Sequence, residues 1–230
     1  SLREAVRHAS IALGVQAELV FIDAEHSSKE QLVDALKTVS GLIIPGGFGP
    51  RGSQGKLDAI TYARSNGLPF FGICFGMQLA VVEFCRTVLK IDANSTEIDA
   101  DCKEPVVCLI SELAENKHAE VTDKGGTMRL GKIKDKLALD SKVYAAYQKE
   151  EIAERHRHRY EVNPNYVDKM EQSGMRVSAR SVDDDFVDVV EIPEHPWFVA
   201  CQCHPEFESK PLAPHPLFVS FLQAAIKRRG

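Results

Sequence analysis

Apolar positions along the chain fall into short runs separated by glycine, proline and polar clusters. Leu2 to Leu13 carries apolar residues at helical spacing and stops at Gly14, which predicts a helix with a glycine C-cap. Ala17 to Ile22 reads as a strand. Ser28, followed by Gln31, predicts the capped start of a helix over Lys29 to Val39. Gly41-Leu42-Ile43-Ile44 predicts a short buried strand ending at Pro45, and Lys56 to Arg64 a helix that stops near Asn66-Gly67. Leu68 to Ile73 is a further strand, and Leu79 to Leu89 returns to the helical period. This alternation predicts an α/β fold, with a central, mostly parallel sheet and helices on both faces.

Beyond Ala93 the pattern changes. Asn94 to Lys103 is polar and loop-like, and Val106 to Ile110 reads as a strand. Glu115 to Gly126 is charged and ends in Gly125-Gly126, which predicts a surface loop. Met175 to Ser181, Phe186 to Ile192 and Trp197 to Gln202 are strand-like and predict a β-rich second half packed on the same sheet. Pro216 to Lys227 is a closing amphipathic helix. No internal repeat, low-complexity tract or long linker interrupts the sequence, so residues 1–230 read as a single domain.

Composition narrows the partners. A net charge of −5 with 27% charged residues implies no broad basic surface, which argues against nucleic acid. No apolar run reaches the roughly 20 residues of a membrane span. The N-terminal residues lack a secretory pattern. The six cysteines, Cys74, Cys85, Cys102, Cys108, Cys201 and Cys203, are therefore expected to be reduced thiols in a cytoplasmic protein. Cys201-Gln202-Cys203 has no companion pair at zinc-site spacing, so no metal site is expected.

Three segments carry candidate chemistry. Gly72-Ile73-Cys74-Phe75-Gly76-Met77-Gln78 joins a predicted strand to a predicted helix, with glycine two positions either side of Cys74. Small residues at those offsets permit a tight turn that lifts a side chain out of the sheet edge and aims it at the free N–H groups of the next helix. Cys74 is either a small core residue or a nucleophile favoured as thiolate. Pro45-Gly46-Gly47-Phe48-Gly49 follows a buried strand with three glycines in four positions. It is either a plain glycine turn or half of an oxyanion hole, with N–H donors from Gly47 and Phe75. Pro50 to Gly55 then reads as a flap, and no Gly-Lys-Ser/Thr makes it a phosphate loop. His204-Pro205-Glu206 closes a late strand, where a histidine can serve a thiol as base and acid and a carboxylate can orient it. A further run, Glu154 to Asn163, alternates basic residues in the manner of a strand with one wet face. It could be a solvated edge, a basic patch for an acidic partner, or a carboxylate-recognition element.

Taken together, Pro-Gly-Gly-Phe-Gly, Gly-Ile-Cys-Phe-Gly-Met-Gln and His-Pro-Glu-Phe resemble the class I (triad-type) glutamine amidotransferases over nearly the whole chain. The resemblance implies Cys74 as nucleophile, His204 as general base and acid, and Glu206 as orienting carboxylate. It implies that L-glutamine touches Gly47, the segment Phe75, Gly76, Met77 and Gln78, then Glu97 at its ammonium and Arg159 at its carboxylate. Arg51-Gly52, Asn94 to Glu97, Gly126 to Gly131 and Glu154 to Asn163 are similar to the subgroup that aminates UTP to CTP.

In that subgroup a synthetase domain of the same polypeptide precedes the glutaminase domain and uses ATP and Mg. GTP is an allosteric activator, and the full-length enzyme is a homo-oligomer. The glutaminase domain itself carries no cofactor. Nothing in these residues resembles the synthetase domain. Two departures stand out: Phe75 where the family commonly has leucine, and Cys203 where an aromatic is frequent, which sets a second thiol beside His204. Other class I glutaminases, such as those feeding GMP synthesis, γ-glutamyl hydrolases, a non-catalytic docking module and a cysteine peptidase are the alternatives. The Arg-His-Arg-His-Arg-Tyr run argues against the first two, and the complete Cys, His and Glu set against a docking module.

Overall fold

The structure, a computed structural model, describes residues 1–114 and 128–229. In chain order the elements are α1 (Leu2–Leu13), α2 (Lys29–Lys37), β1 (Leu42–Ile44), α3 (Ser53–Ser65), β2 (Phe70–Ile73), α4 (Phe75–Thr87), β3 (Ala93–Ser95), β4 (Glu104–Leu109) and α5 (Ile110–Ala114). They continue with β5 (Arg129–Leu137), α6 (Lys142–Tyr147), β6 (Glu151–His158), β7 (Tyr160–Val162), α7 (Val167–Gln172), β8 (Arg176–Ser181), β9 (Val187–Glu191), β10 (Phe198–Cys201) and α8 (Pro216–Arg229). The expected loop over Glu115 to Gly126 lies outside the described residues.

The main sheet has seven strands in the order β1-β2-β10-β9-β8-β5-β6. β1, β2 and β10 run parallel, and each later neighbour is antiparallel. The α/β class and the β-rich second half on the same sheet are as the sequence implied. The parallel part is narrower than the alternation suggested, because β8, β9 and β10 follow one another through short connections and so pair antiparallel. A second sheet, β3-β4-β7, stands beside the first.

Strand periodicity divides the core. Phe70 stacks on Phe198 at 4.3 Å on one face, in the cluster that includes α3, α4 and the small sheet. Phe71 and Ile73 point the other way, where Phe71 meets Trp197 and Phe218 at 5.6 and 5.1 Å in the cluster containing α1 and α8. The caps follow the sequence. Gly14 takes a left-handed φ of 65° and ties its N–H to Ile11 and Ser10. Ser28 and Gln31 form the reciprocal capping box of α2.

The expected strand over Ala17 to Ile22 belongs to neither sheet. Leu19, Val20 and Phe21 are consecutive and exposed, so the run lacks the buried face that fixes a strand in register. α3 starts at Ser53, three residues before the expected Lys56, behind the left-handed N-cap Gly52. Ala93 to Ser95 enters the stretch read as loop and pairs with β4 as β3.

Candidate functional site

The Cys74 turn forms where β2 runs straight into α4. Cys74, the N-cap of α4, sits at φ 52° and ψ −105°, a region that L-residues rarely occupy. The turn is over-determined by its neighbours. The Cys74 N–H donates to Cys201 O at 2.7 Å, and the Cys74 carbonyl accepts from Met77 N and Gln78 N at 2.9 and 3.2 Å. A Cβ on Gly76 would lie far inside van der Waals contact with the Ile44 carbonyl, and one on Gly72 would lie 2.8 Å from Gly76 O. Both glycines are thus required by close approach of β1, β2 and α4. Met77 is wholly buried, and its N–H and that of Gln78 are committed to Cys74 O. By helix geometry, the N–H groups of Phe75 and Gly76 have no carbonyl a turn earlier.

His204 arrives from the other side of the same strand pair. Its backbone N–H donates to Arg155 O at 2.8 Å, and its Nδ1 lies 2.8 Å from Glu206 Oε1. The Phe207 ring stacks on the imidazole at 5.4 Å. Burial opposes charge on His204, but hydrogen bonds to Cys74 and Glu206 outweigh it and hold the imidazole up to about 10. His204 is therefore an imidazolium at neutral pH, facing the sulfur.

The glycine loop closes over this pair. A Cβ on Gly46 would stand 2.9 Å from His204 Cε1 and 3.6 Å from Cys74 Cβ, and one on Gly47 would stand 3.5 Å from Phe75 Cδ1. The Gly49 N–H donates to Glu97 Oε1 at 3.0 Å, which brings the loop after β3 to the same rim. Burial raises the Glu97 carboxyl, and the Gly49 N–H partly offsets this.

Arg159 stands exposed between β6 and β7, with its carbonyl accepting from Ile110 N. Its neighbour Tyr160 offers a carbonyl to the side chain of Gln78 at 3.4 Å. The structure thus gathers Cys74, His204, Glu206, Gly47, Phe75 and Glu97 at one rim, with Arg159 on the strand junction next to it. The arginines of β6 are on its wet face and the histidines inside, so the alternation was real on both faces.

Three features were missed by sequence reasoning. Gln202, fully buried, donates from Nε2 to Cys74 Sγ at 3.6 Å. The signal was available, since Gln202 is a polar residue between two cysteines at the buried end of β10. The Lys56 ammonium lies over the Phe75 ring at 5.1 Å, and a Cβ on Gly47 would stand 4.0 Å from it. Burial lowers its pKa.

The third is a buried polar cluster. Arg129 grips Asp188 with two hydrogen bonds of 2.7 and 2.8 Å and Glu161 with one of 2.9 Å, tying the small sheet to the large one. Burial brings the histidines down to about 4 at His156 and about 3 at His158. Burial raises the Asp135 carboxyl, with Asp188 adding to the shift, and raises Glu161 against the pull of Arg129. His156, His158 and Asp188 bring donor atoms within 4.8 Å of one another. Arg129 already occupies both Asp188 oxygens, so this set is closed to a cation.

All six cysteines are free. Contact with Cys201 and burial push the Cys203 thiol well up, so it stays protonated beside His204. Among the described residues, no helix is long and apolar enough to cross a membrane.

A strand–cysteine–helix turn, a histidine–carboxylate pair and a glycine loop meeting on an α/β sheet define a class of amide-hydrolysing enzyme. The profile of glutamine amidotransferase class-I matches residues 1–224, and the chain belongs to that family. Within it, the chain is similar to CTP synthases. It is 47% identical over 230 residues to the CTP synthase of Bdellovibrio bacteriovorus, covering 100% of this chain and 43% of that protein. It is likewise 47% identical over 232 residues to that of Nitratidesulfovibrio vulgaris, covering 98% of this chain and 42% of that protein. The chain thus spans less than half the length of these curated relatives.

Among solved structures, the glutaminase domain of Trypanosoma brucei CTPS with bound acivicin superposes with a TM-score of 0.88 at 34% identity, covering 98% of this chain and 87% of that one. A putative GMP synthase component from Thermoplasma acidophilum, at 19% identity and a TM-score of 0.62, covers 100% of this chain and 90% of its own and shares the fold.

Proposed function

We propose that this chain is the glutaminase part of a CTP-forming enzyme, hydrolysing the side-chain amide of L-glutamine through a cysteinyl thioester. The observation that carries the reading is the Cys74–His204–Glu206 arrangement, with the imidazole between the sulfur and a carboxylate 2.8 Å from its Nδ1.

The Cys74 sulfur attacks the glutamine amide carbon, and the N–H groups of Gly47 and Phe75 receive the developing oxyanion. His204, already protonated, gives its proton to the amide nitrogen. The C–N bond breaks and ammonia leaves, with the acyl group held as a thioester on Cys74. Water then attacks the thioester as His204 takes its proton. The C–S bond breaks, glutamate departs, and the sulfur and imidazole return to their first state. Glu206 holds the ring in position throughout. Glu97 takes the substrate ammonium and Arg159 its carboxylate, with Gly76, Met77 and Gln78 forming the wall beneath.

The ammonia would pass to a synthetase domain of the same polypeptide that aminates UTP using ATP and Mg. GTP would act as activator of a homo-oligomeric, cytoplasmic whole enzyme. The similarity to CTP synthases more than twice as long as this chain supports the assignment. A glutamate-release assay on the chain and on Cys74→Ala tests the reading. Release by the parent and none by the folded variant is expected. Release that survives the substitution overturns it.

A further inference from the structure

We propose that Gln202 is a fixed hydrogen-bond donor to the Cys74 sulfur, and that Gln78 locks its amide the right way round. The proposal rests on the reading of Cys74 as nucleophile.

The orientation follows from one atom that has no choice. The Tyr160 carbonyl can only accept, so the Gln78 side-chain atom 3.4 Å from it is the amide nitrogen. That same nitrogen lies 3.3 Å from the Gln202 side chain, which must therefore present Oε1 to it. Gln202 Nε2 is left facing Cys74 Sγ at 3.6 Å.

A second chain of bonds agrees with the first. His158 Nδ1 lies 3.1 Å from the same Tyr160 carbonyl and must carry the proton there. Its Nε2 then accepts from His156 Nδ1 at 3.0 Å. Both glutamines are buried, and Gln78 Oε1 has no hydrogen-bond partner. An amide that gives up one of its own bonds in a buried site is held for what its other end does.

The chemistry gives this donor a distinct task. His204 must surrender its proton when ammonia leaves, so its hold on the sulfur changes during the cycle. The Gln202 amide has no proton to transfer and keeps donating. It also links the nucleophile to Tyr160, which adjoins Arg159 on the strand junction, so the substrate-carboxylate side and the sulfur share one rigid connection.

The test is trapping of Cys74 by iodoacetamide, followed by mass spectrometry, in the parent chain and in Gln202→Met, which keeps the volume and removes the donor. The expected result is trapping slowed about ten-fold or more at neutral pH, as a lost bond to a charged group implies. The ultraviolet thiolate band lost on Cys74→Ala should weaken in parallel. In the glutaminase assay kcat should fall while KM holds. Gln78→Met should slow trapping less, and the double variant should be no slower than Gln202→Met alone.

Unchanged trapping in a folded Gln202→Met overturns the proposal. Should that variant misfold, the parent chain decides the matter by NMR. Alkylation of Cys74 must shift a Gln202 side-chain amide proton, and an indifferent resonance overturns the proposal. Survival of glutaminase activity in Cys74→Ala would instead strike the nucleophile reading, and the trapping result would stand apart from it.

Discussion

Gly46 and His204 pack so closely that a methyl group on the glycine would lie 2.9 Å from the imidazole Cε1. The imidazole is the group that can yield, but only by leaving its 2.8 Å bond to Glu206 and its place against the Phe207 ring. Gly46→Ala should therefore displace His204 and not the backbone. We predict glutamine hydrolysis reduced at least about ten-fold in kcat, with thermal stability within about 1 kcal/mol of the parent. Steady-state kinetics and a thermal melt on the same preparation check both halves.

Gly76 is a different kind of glycine. A Cβ there would run into the Ile44 carbonyl, which is backbone of the central sheet and has nowhere to go. Gly76→Ala should cost about 2–4 kcal/mol of stability, as overpacking at a rigid contact does. Urea unfolding measures it, and an unchanged midpoint would show that β1 and α4 are looser than described.

The charge on His204 ties stability to pH. Its folded value of about 10 lies above the ordinary 6.5, so it stabilises the fold fully below about pH 6.5 and loses that contribution as pH rises through about 10. In Glu206→Gln one of the groups sustaining the shift is gone. The melting temperature of the parent should fall more steeply than that of Glu206→Gln between these limits, and the His204 ring resonances of the variant should titrate lower.

Arg129 clamps the two sheets through Asp188 and Glu161, with all three side chains buried. Arg129→Met leaves two carboxylates without their cation and should cost about 3–5 kcal/mol. Arg129→Lys should recover only part of this, since the two-pronged grip on Asp188 needs a guanidinium. Denaturant titration of the pair checks the order.

Glu97 sits at the rim with Gly49 on one oxygen. Glu97→Gln should raise the KM for glutamine about ten-fold and leave kcat nearly unchanged, the mark of a group that holds substrate equally in ground and transition states. Initial-rate measurements over a range of glutamine concentrations separate the two constants.

The elbow was legible because its turn demands glycine at fixed offsets from Cys74, and only such a demand leaves a mark in a short sequence. The capping box of α2 and the glycine end of α1 were legible for the same reason. Ala17 to Ile22 misled because apolar content alone does not make a strand without a partner edge. β5 went unseen because Leu130, Lys132, Lys134 and Lys136 give it one wet, charged face, while Arg129 and Asp135 on its inner side look equally polar. Their burial depends on Asp188 and Glu161, which come from distant strands. Gln202 was missed by the same logic, since a buried polar residue just past a strand declares its purpose only once its neighbours are in place. Glu97 and Arg159 were reached through family resemblance, because nothing in their spacing points to a common site.

Cys74 as the nucleophile for a glutamine amide is open to covalent capture. Incubating the chain with a diazo-ketone glutamine analogue and mapping the product by mass spectrometry should give one covalent adduct on Cys74, suppressed by excess glutamine. Labelling spread over Cys203 and the other thiols, or labelling of Cys74 that glutamine does not slow, would contradict it.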